Sequence, residues 1–209
     1  MKLKWLGHSC FAITLDNGKV IVTDPYDDSV GYPPLRVGAD LALSSHGHFD
    51  HNYFDAVDGD PEIIDQPGVY ERFGARITGV PSWHDDVRGA KRGPNVIFTM
   101  EADGLTLTHL GDLGHLPETR EQIAAVEGAD VLLIPIGGTF TITTPQAVEL
   151  IGRHRPAAAV AMHYRNRYCG FHIADSAEFI RMTGARTLPN EVSLAKGALE
   201  GCYVMEIGT

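Results

Sequence analysis

The sequence predicts a layered α/β fold in which helices cover β-sheets. Three observations carry this. The chain up to Asp112 reads as short strands punctuated by turn residues. Beyond Asp112 the texture changes to alternating helix and strand. The chemistry-bearing side chains fall where strands hand over to loops, the usual home of functional groups on a rigid scaffold.

In chain order, residues 2–6, 10–15 and 19–23 have strand character, separated by Gly7-His8 and by the turn signal Asp16-Asn17-Gly18. The third strand ends in Asp24-Pro25. Residues 41–44 form a buried-looking strand leading into a histidine cluster. Residues 63–65, 75–80, 95–100 and 105–110 are further strands, the last two joined by the hairpin turn Ala102-Asp103-Gly104. Helical spacing then runs over 117–126, with Pro117 suited to a first turn. Residues 131–136 are a strand and 144–153 a helix, with Thr144 as N-cap and Pro145 at the first position. A strand at 157–162, a turn at 166–170, a helix at 174–182 and a strand at 203–207 complete the chain.

The chain of 209 residues, 44% hydrophobic, is long enough for a sizeable core. It lacks linkers and low-complexity tracts, so it reads as one domain over 1–209. The formal charge of −10 argues against a binder of nucleic-acid backbone, whose affinity comes from cationic contacts. The start of the chain has no apolar signal core, and no run approaches membrane-spanning length. Cys10, Cys169 and Cys202 are odd in number and scattered, which favours reduced thiols and a cytoplasmic location. Cys169 lies close to a candidate ligand and stays a site candidate. A homo-oligomer is left open.

His46-Gly47-His48-Phe49-Asp50-His51 packs three imidazoles and a carboxylate into six residues. These donors suit zinc, iron and manganese. On extended chain, residues two apart point the same way, so His46 and His48 can grip one ion, while Asp50 and His51 lie past the bend and can reach a second. His84, Asp112 and His163 each follow a strand singly, and each taken alone reads more readily as a solvated or satisfied core residue than as a ligand.

In order, His-x-His-x-Asp-His, then His84, Asp112 and His163, the series resembles the metallo-β-lactamase-fold hydrolases. Trp5-Leu6-Gly7-His8-Ser9, Leu110-Gly111-Asp112, Pro135-Ile136-Gly137-Gly138 and Met162-His163-Tyr164 are similar to the small branch typified by L-ascorbate-6-phosphate lactonase. The resemblance implies a four-layer αββα sandwich with metals at one edge. It implies that His46, His48 and His84 hold a first ion, that Asp50, His51 and His163 hold a second, and that Asp112 bridges them. The ions expected are one or two divalent metals, zinc first, with manganese, iron or nickel as alternatives. Asp50 and Asp112 then act catalytically, Asp50 also by orienting a metal-bound hydroxide.

The same resemblance gives Asp24 the task of bonding a ligand histidine and fixing its tautomer; an Asx-type turn at Asp24-Pro25 is the plain alternative. It brings His8 towards the metals, to bind or protonate substrate. His109 shares a strand face with Leu105 and Leu107 and reads as a buried supporting residue. His115, close behind Asp112, can approach the cleft, whereas His154 and His172 read as structural. Gly137-Gly138-Thr139 offers backbone amides to an anionic oxygen, without the Lys and spacing of a P-loop. Tyr164, Arg165 and Arg167 follow His163, and either arginine suits a phosphate or carboxylate beside the metals.

The short His51-to-His84 spacing and the absence of added domains fit a compact hydrolase rather than a penicillin-type lactamase. The function expected is metal-dependent cleavage of an ester, lactone or phosphoester of a small anionic substrate. The alternatives are a phosphodiesterase acting on nucleotides, a metal-binding protein without turnover, and a redox di-iron protein.

Overall fold

Alternate residues of a strand face opposite ways, and the first strands use this to serve two cores. Phe11, Ile21, Leu41 and Leu43 join a large cluster between the sheets. Cys10, Val22 and Ala42, one position along, join a second cluster on the far face. The computed structural model describes residues 1–208. Its strands are β1 Lys2–Gly7, β2 Cys10–Thr14, β3 Val20–Thr23, β4 Val37–Gly38, β5 Leu41–Leu43, β6 Val57–Asp58, β7 Glu62–Ile64 and β8 Gly68–Arg72. They continue as β9 Ala75–Trp83, β10 Pro94–Ala102, β11 Leu105–His109, β12 Val131–Pro135, β13 Ala158–Met162, β14 Arg186–Leu188, β15 Glu191–Ser193 and β16 Gly201–Met205. The helices are α1 Arg120–Glu127, α2 Thr144–His154 and α3 Ala177–Thr183.

One sheet of six strands runs β15-β1-β2-β3-β5-β7, and one of eight runs β14-β16-β13-β12-β11-β10-β9-β8. A two-stranded sheet pairs β4 with β6. Each large sheet is antiparallel at one side and parallel at the other. The parallel strands β12 and β13 are buried along their whole length, as strands covered on both faces must be. Leu3, Trp5 and Ile13 of the first sheet meet Ile77, Phe98 and Met100 of the second in the shared cluster.

The helices cover the outer face of the eight-stranded sheet, α1 against β9 and β10 and α3 against β16. Over the outer face of the six-stranded sheet, Tyr26, Tyr32, Leu35 and Val57 supply the cover instead. They come from loops with two short 3-10 turns, Asp28–Val30 and Phe54–Ala56. Pro25, Gly31, Pro33, Pro34 and Gly38 explain this, because Pro and Gly are poor residues inside a helix.

Three local readings change. The first helix starts at Arg120 behind the N-cap Thr119, so Pro117 lies ahead of it and not in its first turn. The N-cap of α2 is Thr143, which forms a capping box with Gln146, and not Thr144. Thr144 sits inside the helix and donates its hydroxyl to the Ile136 carbonyl at 3.0 Å. The half-exposed edge strand β8, with Glu71 and Arg72, carried no apolar run to announce it; it is held by its hairpin with β9. Among the described residues no helix is long and apolar enough to cross a membrane.

Candidate metal centre

The carboxyl ends of β3, β5, β9, β11 and β13 converge at one edge of the two sheets and deliver Asp24, the 46–51 cluster, His84, Asp112 and His163. The backbone bends sharply to do so. His8, Asp24 and His163 all have positive φ, at 51, 43 and 50°, in the left-handed region that non-glycine residues seldom occupy. Gly111, next to Asp112, admits no side chain: a Cβ there would overlap Asn95 Oδ1 and the Ser45 side chain.

Two donor groups result, joined by a third made of His46, His51 and Asp112. His46, His48 and His84 form one, and His8, Asp50, His51 and His163 the other. Asp112 stands between them. Its Oδ2 lies 3.3 Å from His84 Nε2 and 3.1 Å from His163 Nε2, and its Oδ1 lies 3.3 Å from His51 Nε2. Donors held about 2.0–2.1 Å from a shared tetrahedral ion would stand about 3.3 Å apart, so these separations have the size of ligand–ligand edges.

The polar bookkeeping points the same way. His46 Nε2, His51 Nε2, His163 Nε2 and Asp112 Oδ1 are buried and lack a hydrogen-bond partner. Each such atom costs about 1–3 kcal/mol, and native proteins rarely leave several in one place. Burial opposes charge on His51, yet Asp112, Asp50 and Asp24 raise its pKa well above the usual imidazole value. Burial also opposes ionisation of Asp112, but His163 and His51 hold it well below the carboxylate range. His46 is driven down to about 2, first by burial and then by His51, so it presents a lone pair. The centre therefore calls for positive charge surrounded by neutral nitrogen and anionic oxygen, and the donor set fits divalent metal ions.

Supporting residues fix the ligands. Asp24 Oδ2 accepts from His51 Nδ1 at 2.8 Å and from Ser45 Oγ at 2.7 Å, while Oδ1 accepts from the Ser45 amide at 2.7 Å. His84 donates from Nδ1 to the Phe140 carbonyl at 3.0 Å, which frees its Nε2. Asn95 accepts from the Asp112 amide at 2.9 Å and donates to the Leu110 carbonyl at 3.0 Å. His109 donates from Nε2 to the Ser9 carbonyl and accepts from the Gly111 amide at Nδ1, bracing the turn that carries Asp112.

A family model, the beta-lactamase superfamily domain, matches residues 2–163, well over half of the chain. The chain belongs to the metallo-β-lactamase superfamily. The UPF0173 metal-dependent hydrolase of Thermococcus kodakarensis is 30% identical, over 88% of this chain and 92% of that protein. A UPF0173 metal-dependent hydrolase of Pelotomaculum thermopropionicum is 32% identical, over 78% and 84%. A crystal structure from Thermotoga maritima, assigned to the metallo-beta-lactamase superfamily as a Zn-dependent hydrolase, is similar with a TM-score of 0.82 and 35% identity over 99% of both chains. The protein is a metal-dependent hydrolase of this superfamily.

The hydrolase opens to solvent through a cleft of about 310 Å³. Its floor is His48, Asp50, His84 and Asp112, and its rim is Phe49, Arg92, Phe140 and Phe171. Several residues singled out in the sequence lie elsewhere. His8 is fully buried beneath Asp50, with its Nε2 3.2 Å from Asp50 Oδ2, so it touches a carboxylate rather than the cleft. Burial, chiefly, lowers its pKa to about 4; a neutral ring donates from Nε2 to Asp50. His115 spends its ring on the Leu116 carbonyl and the Trp83 amide, and so steadies the strand end before His84. Arg165 pairs with Asp175 at 3.0 Å and lines a separate hollow with Cys169 and His172. Tyr164 is buried against Trp5, ring centroids 5.4 Å apart. The Gly138 amide donates to the Ile142 carbonyl at 3.2 Å, which leaves it unavailable to an anion. The same loop instead supplies the Phe140 ring and the carbonyl that holds His84.

Sequence reading missed Asn95, Asp85, Arg92 and the three rim phenylalanines. One signal was there: Arg88, Lys91 and Arg92 crowd the few residues after His84.

Proposed function

We propose that the hydrolase uses two divalent ions to cleave an ester, lactone or phosphoester of a small anionic substrate. The observation that carries this is Asp112 at the floor of an open cleft: its Oδ2 lies 3.3 Å from His84 Nε2 of one donor group and 3.1 Å from His163 Nε2 of the other, and its Oδ1 lies 3.3 Å from His51 Nε2. In this reading His46, His48 and His84 would hold one ion, Asp50, His51 and His163 would hold the other, and Asp112 would contribute to both. When bound, the ions would supply a water acidified towards pKa about 7 and positive charge for the developing oxyanion.

The chain's own residues do the rest. Asp24, by accepting from His51 Nδ1, keeps that ring's proton away from Nε2, the atom facing Asp50 and Asp112. The Phe140 carbonyl does the same for His84. His8 donates to Asp50 Oδ2 and holds that carboxylate in orientation. Asp50 lines the cleft and would take a proton from an incoming nucleophile.

Metal analysis of the purified protein, with chelator-stripped and reconstituted samples assayed on aryl ester, lactone, thioester and bis(p-nitrophenyl) phosphate panels, tests this reading. The expected result is two ions per chain, activity lost on stripping and restored by metal, and loss in His46→Ala and Asp112→Ala. Full activity after stripping and after both substitutions would end it.

A further inference from the structure

The metal centre accounts for the floor of the cleft and leaves its mouth unexplained. Among the described residues, Arg92 is the only lysine or arginine that lines the cleft. It is placed with care. Asp85, itself buried, accepts four backbone N–H groups: Val87 and Gly89 at Oδ1, Lys91 and Arg92 at Oδ2, all within 2.8–2.9 Å. This ties the 85–92 loop, and the Arg92 main chain itself, to the residue after His84. The guanidinium stacks over the Phe140 ring at 5.5 Å and donates from Nη2 to the Thr139 carbonyl at 2.9 Å. Arg72, Arg76, Arg153, Arg165 and Arg181 each pair with a carboxylate, whereas among the described residues none pairs with Arg92. An ordered guanidinium with most of its five N–H donors unspent is a ready partner for a carboxylate or phosphate.

Beside it stands an apolar wall. Phe171 packs edge-on to Phe49 and to Phe140, at 6.4 and 6.2 Å. Phe49 is 53% exposed and Phe140 38%. Rings left in water around a polar floor mark a binding surface.

We propose that Arg92 is the specificity-determining residue of the cleft: it binds a carboxylate or phosphate of the substrate remote from the scissile bond, while the Phe49–Phe171–Phe140 wall holds an apolar or planar part. Asp85 is the positioning residue for Arg92. The proposal rests on the two-metal reading above.

The test uses hydroxamates, which dock on metal ions, as probes in calorimetry on the metal-loaded protein. Butyrohydroxamate is neutral at its far end; succinomonohydroxamate carries a carboxylate there and 3-phosphonopropionohydroxamate a phosphonate. The wild type is expected to bind at least one anionic probe about tenfold or more tightly than the neutral one, as a charge-assisted contact provides. Whichever anion gains more names the substrate group. Arg92→Ala is expected to erase the advantage and Arg92→Lys to restore part of it, each anionic affinity being taken as a ratio to the neutral probe in the same variant. An advantage that survives in Arg92→Ala, or is absent from the wild type, overturns the proposal. Failure of the neutral probe to bind any metal-loaded sample overturns the two-metal reading, and this proposal with it. Phe140→Ala is expected to lower the preference for benzohydroxamate over acetohydroxamate; an unchanged ratio overturns the role of the wall.

Discussion

Replacing Asp24 by Asn swaps one carboxylate oxygen for an NH2 group at almost constant volume, and the structure leaves that group nowhere to go. At the Oδ1 position it would face the Ser45 amide, a donor 2.7 Å away. The lost charge-assisted bond and the buried unpaired N–H cost about 1.5–3 kcal/mol. At the Oδ2 position it would face His51 Nδ1, 2.8 Å away, which must then accept. The imidazole proton moves to Nε2, the atom that lies 3.5 and 3.3 Å from Asp50 and Asp112 and is needed as a lone pair. Loss of such a supporting partner lowers metal affinity about 10–100-fold, or about 1.4–2.7 kcal/mol. Competition titration against a chromophoric chelator reads the affinity of each ion, and melting with and without metal separates binding from folding. On the two-ion proposal, we expect weakened binding of the ion assigned to Asp50, His51 and His163 and a smaller metal-induced rise in melting temperature. An Asp24→Asn protein that binds both ions with wild-type affinity and melts with the wild type would refute the tautomer argument.

Three other predictions lie away from the centre. The amino terminus sits 2.8 Å from Asp16 and 3.4 Å from Asp103, and the hydrogen bond to Asp16, above all, raises its pKa above 8.0. A raised amine pKa stabilises the fold fully below pH 8.0 and ceases to do so as pH rises through the folded-state value. Wild type should therefore exceed Asp16→Asn in chemical denaturation at pH 7 by no more than about 1 kcal/mol, the pair being exposed at Asp16, and the gap should close at alkaline pH; a gap that widens there refutes the assignment. Cys10 is fully buried and burial pushes its thiol pKa up, whereas Cys202 is part-exposed. A thiol reagent should label Cys202 first and Cys10 only on unfolding, which mass spectrometry of the labelled protein reads; early modification of Cys10 would contradict its burial. Phe98 is 1% exposed between the sheets, so Phe98→Ala should cost about 3–5 kcal/mol in urea denaturation, and a cost under about 1 kcal/mol would show that the core collapses around the gap.

Much of the scaffold was legible in the sequence because it is written in short-range pattern. The alternation Ile21/Val22 and Leu41/Ala42/Leu43 assigns each residue to one core or the other without reference to any partner. The turn at Asp16-Asn17-Gly18 and the helix-starting Pro145 are likewise local. Where the pattern weakened, so did the reading. β8 has little apolar run of its own and exists because β9 pairs with it. The layer over the six-stranded sheet is loop rather than helix because its prolines and glycines prevent a helix, and its tyrosines still fill the space.

By itself the sequence determined the type of chemistry: three imidazoles and a carboxylate within residues 46–51 specify metal-binding donors, since ligand identity is a property of the side chain and not of its surroundings. Tertiary structure alone decided what those donors surround and what approaches them. His8 belongs under Asp50, Gly138 spends its amide on Ile142, and Arg165 turns to Asp175, while Arg92 takes the mouth of the cleft. Each outcome depends on which strand ends meet across two sheets, through contacts between residues such as 8 and 50 or 92 and 139 that are far apart in the chain. Charge and residue type are readable one position at a time, but the partner that consumes or frees a donor is set by through-space geometry.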